Sequence, residues 1–158
     1  MEARERTLVL VKPDAMLPSL KANSKKQALQ ALADKAAAMT GCGEREIFET
    51  LVQREKLGST GVGGGIAIPH GKLANLDRIF GLFARLAKPI DFEAPDEQPV
   101  DLIFLLLAPE GAGADHLKAL ARIARLFREP GVVGKLRACA DKVALYSVLT
   151  EGATPDAA

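Results

Sequence analysis

The sequence is poor in the residues on which several classes of binding protein depend. It has no tryptophan, one tyrosine and six phenylalanines, so few aromatic rings are available to stack on nucleic-acid bases. Its 21 lysines and arginines nearly balance 20 aspartates and glutamates, and a net charge of +1 attracts neither a polyanion nor an anionic membrane surface. The longest apolar run, Leu102 to Ala108, is far shorter than the ~20 residues of a membrane span. We therefore expect neither nucleic-acid binding nor membrane insertion.

Cysteine and histidine are scarce as well. Cys42 and Cys139 lie far apart and belong to no Cys-x-x-Cys pair, which favours reduced structural thiols over a disulfide framework or a zinc site. The apolar stretch near the N-terminus is cut short by a Lys-Pro pair before a secretory signal can develop, which indicates a cytoplasmic protein. Only His70 and His116 are available for imidazole chemistry.

The chain is predicted to form one domain. Its 158 residues, 48% of them hydrophobic, suffice for a sizeable core, and no repeat or linker divides them. We place a single domain over residues 1–158, with its core between residues 8 and 149 and a flexible tail from 150 to 158.

Helix signals stand at both ends of this domain. Ser24 and Gln27 are spaced as a capping box ahead of a helix that Gly41 ends, and a second helix fits residues 44–57. Further along, Asp115 is predicted to cap another helix, and short helices are expected at about residues 131–139 and 141–149. The apolar face predicted for the helix after Asp115 consists of Leu117, Leu120, Ala124 and Phe127.

Strand signals lie between these helices. The longest of them is apolar on both faces, which is typical of a central strand covered by helices on both sides. Because helices and strands do not alternate regularly, we predict an α/β fold with a mixed β-sheet and helices packed on both faces. The predicted strands are Leu8–Val11, Ile66–His70, Ile79–Leu86 and Val100–Pro109.

The glycine-rich segment from Gly58 to Lys72 matches no nucleotide-binding signature. A phosphate loop needs Gly-Lys-Ser/Thr at the start of a helix, whereas Lys72 is followed by Leu73. A dinucleotide fingerprint should follow a strand and begin a helix, but these glycines follow a helix and precede an Ile-Ala-Ile-Pro segment. No serine-hydrolase elbow and no metal-ligand spacing is present, so no metal and no cofactor is expected.

His70 is the remaining candidate for chemistry. Glycines leave room for a bulky group near its ring, and the amides of such a loop can donate to an anion. Neutral imidazole is nucleophilic and can carry a phosphoryl group covalently. A merely hydrogen-bonded structural histidine fits the pattern equally well. His116 by itself has the position of an exposed residue in the first turn of its helix, unless the fold brings that turn, with its free N–H groups, to His70.

The segment Arg54–Leu73, REKLGSTGVGGGIAIPHGKL, resembles the phosphorylation-site signature of the mannitol/fructose-class IIA proteins of the bacterial phosphoenolpyruvate phosphotransferase system. Within this class it is most similar to the stand-alone nitrogen-regulatory type. The likeness extends to Gln98–Phe104 and His116–Ala121 and covers nearly the whole chain. One departure is Gly64, where the family often has Asn.

The resemblance implies roles for particular residues. His70 would accept the phosphoryl group through Nε2, His116 would be the second active-site histidine, and Arg54 would lie beside the site. To these we add Thr60, whose hydroxyl is expected to donate to the phosphoryl oxygens. The family fold is a mixed sheet with helices on both faces, in agreement with the prediction from the residues.

The resemblance also implies a function. The donor would be a small histidine phosphocarrier protein of the HPr or NPr kind, and the chain would regulate targets such as potassium transporters or sensor kinases according to its phosphorylation state. One alternative is a IIA component that passes phosphate to a sugar-transporter IIB subunit. Another is an interaction module in which His70 stays unphosphorylated.

Overall fold

The structure, a computed structural model, describes residues 11–151. Six strands form one sheet: β1 (Met16–Leu20), β2 (Gly61–Gly63), β3 (Ile66–Ala67), β4 (His70–Leu73), β5 (Phe80–Ile90) and β6 (Val100–Pro109). Five helices accompany it: α1 (Lys25–Thr40), α2 (Glu44–Lys56), α3 (Ala114–Leu126), α4 (Pro130–Ala138) and α5 (Lys142–Glu151). Within the described range, no helix has both the length and the apolar character needed to cross a membrane.

The sheet is mixed, as predicted, and β6 lies inside it. Strand β6 runs antiparallel to β5 on one side and parallel to β3 and β4 on the other. At the two edges of the sheet, β1 pairs with β5 and β2 pairs with β3. Alternate residues of β6 enter two separate cores. One core, which includes Ile103 and Leu105, lies beneath α1 and α2, and the other, which includes Leu102 and Phe104, lies beneath α3 and α5. The expectation of helices on both faces is confirmed.

The first helix begins and ends where its capping residues predict. The amide of Gln27 donates to Oγ of Ser24 at 3.1 Å, while Oε1 of Gln27 accepts from the amide of Asn23 at 2.7 Å. Gly41 takes the left-handed conformation with φ of 83° and donates its amide to the carbonyl of Ala37.

Several strand predictions were wrong in detail. The single strand predicted at Ile66–His70 is divided at residues 68 and 69 into β3 and β4, which pair with the same neighbour, β6. Strand β5 continues to Ile90, beyond the end predicted at Leu86. Strands β1 and β2 were missed, since proline interrupts one and glycines make up most of the other. Of the strand predicted at Leu8–Val11, residues 8–10 lie outside the described range and Val11 is buried but not in a strand.

The C-terminal helices also differ from expectation. Helix α3 begins after Gly113 rather than at Asp115, and its buried face is set by Ala119 and Ile123, so Leu117 stays 64% exposed. Residues 150 and 151 belong to α5 and not to a tail, and the remainder of the predicted tail lies outside the described range.

Candidate functional site

His70 is the first residue of β4 and follows the break that Pro69 makes between β3 and β4. Pro69 has no amide hydrogen to donate, but its carbonyl accepts from the amide of Leu106 at 3.0 Å. His70 then pairs with Leu106 in parallel register. The half-buried histidine is therefore positioned by the central strand β6 rather than by a free loop.

The hydrogen bonds of the His70 ring define its tautomer. Nδ1 lies 2.9 Å from the carbonyl oxygen of Ile68, and since a carbonyl can only accept, Nδ1 carries the proton. Nε of Arg54 donates to Nε2 of His70 at 3.3 Å, which requires a lone pair on Nε2. In this neutral form Nε2 is the nucleophilic nitrogen.

Arg54 reaches the histidine from the last turn of α2 because this helix packs closely on β4. A Cβ atom on Gly71 would lie only 2.6 Å from Cγ2 of Thr50, so glycine allows the close approach. Nη1 of Arg54 also donates to the carbonyl of Gly58 at 2.9 Å. The guanidinium thus links the phosphorylation-site candidate to the segment that follows α2.

His116 lies beside His70, with 5.8 Å between the ring centroids and 46° between the ring planes. It is buried in the first turn of α3, only 6% exposed, which overturns the expectation of an exposed residue. Its Nδ1 has no hydrogen-bond partner among residues 11–151. Burial lowers the pKa of His116 below that of an ordinary histidine, and the positive charges of Lys72 and of His70 in its protonated form lower it further. The second imidazole is consequently neutral near pH 7.

Thr60 is buried and contacts a carboxylate. Its hydroxyl and its amide both bond to Glu55, the amide at 3.1 Å, and its carbonyl accepts from the amide of Ile68 at 3.0 Å. The hydroxyl is thereby already engaged with Glu55. Donation from Thr60 to a phosphoryl oxygen stays a prediction, and the contacts describe a residue that joins α2 to the segment before His70.

The carboxylate that holds Thr60 is itself ion-paired. Nζ of Lys25 lies 2.8 Å from Glu55 and 3.1 Å from Glu93, and it lies over the ring of Phe92. Burial alone would lower the pKa of Lys25, but hydrogen bonds and charge interactions with the two carboxylates raise it overall. The Glu55 side chain is only 6% exposed, so this pair fixes the start of α1 to the end of α2.

Three of the four predicted site residues, His70, His116 and Arg54, lie together. The sequence reasoning missed Glu55 and the carbonyl of Ile68, which hold Thr60 and the His70 ring. Glu55 lies inside the segment that carries the resemblance, but its spacing does not distinguish it from the other charged residues of α2. No group of three or more histidine, cysteine or acidic side chains within residues 11–151 could hold a metal ion.

A sequence model described as "Phosphoenolpyruvate-dependent sugar phosphotransferase system, EIIA 2" matches residues 10–152. The chain belongs to this family. A protein of Bradyrhizobium diazoefficiens called "Nitrogen regulatory protein" is 71% identical over 140 residues, which cover 89% of this chain and 92% of that protein. The predicted likeness to the nitrogen-regulatory type is thereby confirmed.

Solved structures agree with this assignment. Nitrogen regulatory protein IIA-Ntr from Neisseria meningitidis has 33% identity and a TM-score of 0.85, with 90% of this chain and 97% of that chain covered. Escherichia coli enzyme IIAMTL, solved in complex with phosphorylated enzyme IIBMTL, has a TM-score of 0.75 at 18% identity, with 89% of this EIIA chain and 99% of that chain covered. The latter likeness shows the fold alone. The chain is accordingly a IIA-type phosphocarrier, a class that takes phosphate from HPr-type carriers and passes it to partners.

Proposed function

We propose that this EIIA protein accepts a phosphoryl group on Nε2 of His70 from a histidine phosphocarrier protein and regulates partner proteins according to its phosphorylation state. The observation that carries the proposal is the tautomer of His70, since the bond from Nδ1 to the carbonyl of Ile68 leaves the lone pair on Nε2. We place this chemistry in the cytoplasm, in a domain formed by the whole chain.

The transfer exchanges one P–N bond for another. The lone pair on Nε2 attacks the phosphorus of the donor phosphohistidine, and the broken P–N bond returns its electron pair to the donor imidazole. The proton on Nδ1 of His70 stays in place, so the phosphorylated ring carries a positive charge that the carbonyl of Ile68 stabilises. No metal or nucleotide takes part in this scheme.

Neighbouring groups are suited to the phosphoryl oxygens. Before phosphorylation, Nε of Arg54 donates a hydrogen bond to Nε2 of His70. After phosphorylation the guanidinium would donate to the phosphoryl oxygens instead. His116 adds a neutral imidazole in the first turn of α3, where no side chain caps the helix and the positive end of its dipole favours an anion. The contribution of Thr60 is proposed only after its hydroxyl leaves Glu55.

Regulation follows from the change in charge. A phosphoryl group brings roughly −2 charge to the surface while the His70 ring gains about +1, so the net charge of +1 falls to about 0 and the new negative charge is concentrated beside His70. Such a change can create or remove a docking surface for a partner. We propose that the partners include potassium transporters or sensor kinases, and the similarity to nitrogen regulatory proteins supports a regulatory role.

The second candidate is phosphoryl transfer to a transporter IIB subunit, which is suggested by the fold shared with IIAMTL of the IIA–IIB complex. The two candidates differ in what happens after His70 is loaded. A transporting protein passes phosphate to IIB rapidly, whereas a regulatory one retains it and changes its partners.

The test is phosphorylation in the presence of the donor carrier, its kinase and phosphoenolpyruvate. We expect one acid-labile, alkali-stable phosphoryl group on the wild type, slower loading of His116→Gln, and none on His70→Gln. Full labelling of His70→Gln would contradict the assignment. The loaded protein is then mixed with a IIB domain, and rapid transfer would favour the second candidate over regulation.

A further inference from the structure

The hairpin formed by β2 and β3 precedes His70 in the chain, since β3 ends at Ala67, and it has an unusual turn at its tip. Its tip, residues 63–65, consists of three glycines with φ values of 96°, 68° and 85°. The hairpin is short, with only Gly61 and Gly63 paired with β3. Val62 on its outer strand is 55% exposed. Since glycine is the most flexible residue, side chains from elsewhere must order this tip.

Arg137, in the last turn of α4, makes the most extensive contact with the tip. Its Nη2 donates to the carbonyl of Gly64 at 2.6 Å. The same guanidinium forms a bidentate pair with Asp101 of β6, at 2.8 and 2.9 Å, and the amide of Asp101 donates to the carbonyl of Gly65 at 2.9 Å. A second side chain, Asp96, accepts from the amide of Gly64 at 3.0 Å.

The Arg137 backbone is held in turn. Nε of Arg85 donates to the carbonyl of Arg137 at 3.1 Å, and Arg85 also donates to the carbonyl of Pro18 at 3.0 Å. The guanidinium is partly exposed to solvent, and surface ion pairs of this kind contribute little to global stability. Its main effect is therefore local order at the hairpin tip.

The tip lies within reach of a protein docked on His70. Gly65 is five residues before His70, which is at most roughly 16 Å of extended chain. A typical protein interface covers about 800 Å² per partner, or a radius of roughly 16 Å around its centre. We propose that Arg137 is a positioning residue, which holds the hairpin tip as a preformed part of the surface on which the phosphohistidine donor docks. This inference rests on the proposed function.

The experiment measures initial rates of phosphoryl transfer from the loaded carrier, which separate KM for the carrier from kcat. We expect Arg137→Gln to raise KM about ten-fold, the factor that corresponds to ordering roughly one backbone residue on binding, with kcat changed less than two-fold. Lys135→Gln removes an exposed charge from the same helix without contacting the tip and should leave KM unchanged. NMR order parameters of Gly64 and Gly65 should fall in Arg137→Gln only.

The outcomes are distinguishable. If the wild type is not phosphorylated on His70, the proposed function fails. If it is phosphorylated and Arg137→Gln has the same KM as Lys135→Gln, this inference alone is overturned. If Arg137→Gln lowers the melting temperature but leaves KM unchanged, Arg137 has only a structural role and the inference is likewise overturned. If Arg137→Gln does not fold, Arg137→Lys replaces it, because a single ammonium nitrogen lacks the planar fork with which Arg137 bonds Asp101 and the tip together. An unchanged KM in Arg137→Lys would then overturn the inference.

Discussion

Replacing Gly71 by alanine tests whether the close packing of α2 on β4 positions Arg54. The added Cβ would lie 2.6 Å from Cγ2 of Thr50, about 1 Å closer than an ordinary carbon–carbon contact. Gly71 does not have a positive φ, so alanine brings no backbone strain. The β-branched Thr50 side chain is restricted to two χ1 rotamers in a helix, so we expect α2 to move away rather than the methyl group to escape by free rotation.

Arg54 follows Thr50 by four residues and lies on the same face of α2. A displacement of about 1 Å would stretch its 3.3 Å bond to Nε2 of His70 beyond hydrogen-bonding distance. Overpacking of this kind costs about 1–3 kcal/mol in stability, and misplacing a catalytic group by 1 Å lowers rates by up to ~100-fold. We therefore expect Gly71→Ala to lower both the free energy of unfolding and the rate of phosphorylation.

The assay combines urea denaturation with the rate of phosphoryl uptake, and Thr50→Ala is the matched partner. The double variant Gly71→Ala/Thr50→Ala removes the colliding methyl group and should recover most of the rate lost in Gly71→Ala. The reasoning is refuted if Gly71→Ala behaves as the wild type, or if the double variant is as slow as the single one.

Three further perturbations follow from the geometry. Glu55→Gln leaves the ammonium of Lys25 without its nearest buried carboxylate and should lower the free energy of unfolding by roughly 3 kcal/mol, measured by urea denaturation. An effect below about 0.5 kcal/mol would show that the ion pair contributes little to stability. Gly64→Asn should change the free energy of unfolding by less than about 0.5 kcal/mol because Asn tolerates a left-handed turn. Gly65→Ala should cost about 1–2 kcal/mol because it places a Cβ on a residue with φ of 85° and displaces the guanidinium of Arg137. Equal melting temperatures of the two variants would contradict this. The pKa of His116 is lowered in the folded protein, so as the pH falls the unfolded chain binds a proton first, and the free energy of unfolding should decline below about pH 6.5. His116→Gln should flatten this part of the curve of unfolding free energy against pH. An unchanged curve would argue against a buried neutral ring.

Local signals in the sequence predicted the elements that depend on local chemistry. The capping box at Ser24 and Gln27 begins α1 because both groups of the box lie within one turn. Strand β6 was identified by apolar residues on both of its faces, since a strand covered on both sides has no polar alternation. Strand β2 carries no such signal, because two of its three residues are glycine and its strand conformation is evident only from its pairing with β3.

The site depends on pairing that the sequence does not display. His70 and His116 lie 46 positions apart, and they meet because β4 pairs in parallel with the end of β6, from which the chain continues into α3. The burial of His116 follows from this meeting and could not be deduced from its place in a first turn. In the same way, the hydroxyl of Thr60 bonds to the carboxylate of Glu55 because α2 packs against the glycine-rich segment, and this packing cannot be deduced from the sequence.

The most direct test of the central claim is NMR of the ¹⁵N-labelled protein before and after phosphorylation by the donor carrier. Before loading, His70 should show a proton on Nδ1 and a lone pair on Nε2, as its bond to the carbonyl of Ile68 requires. After loading, ³¹P should couple to Nε2 of His70 and to no nitrogen of His116. A phosphoryl group on Nδ1 of His70, on His116, or on neither ring would contradict the account.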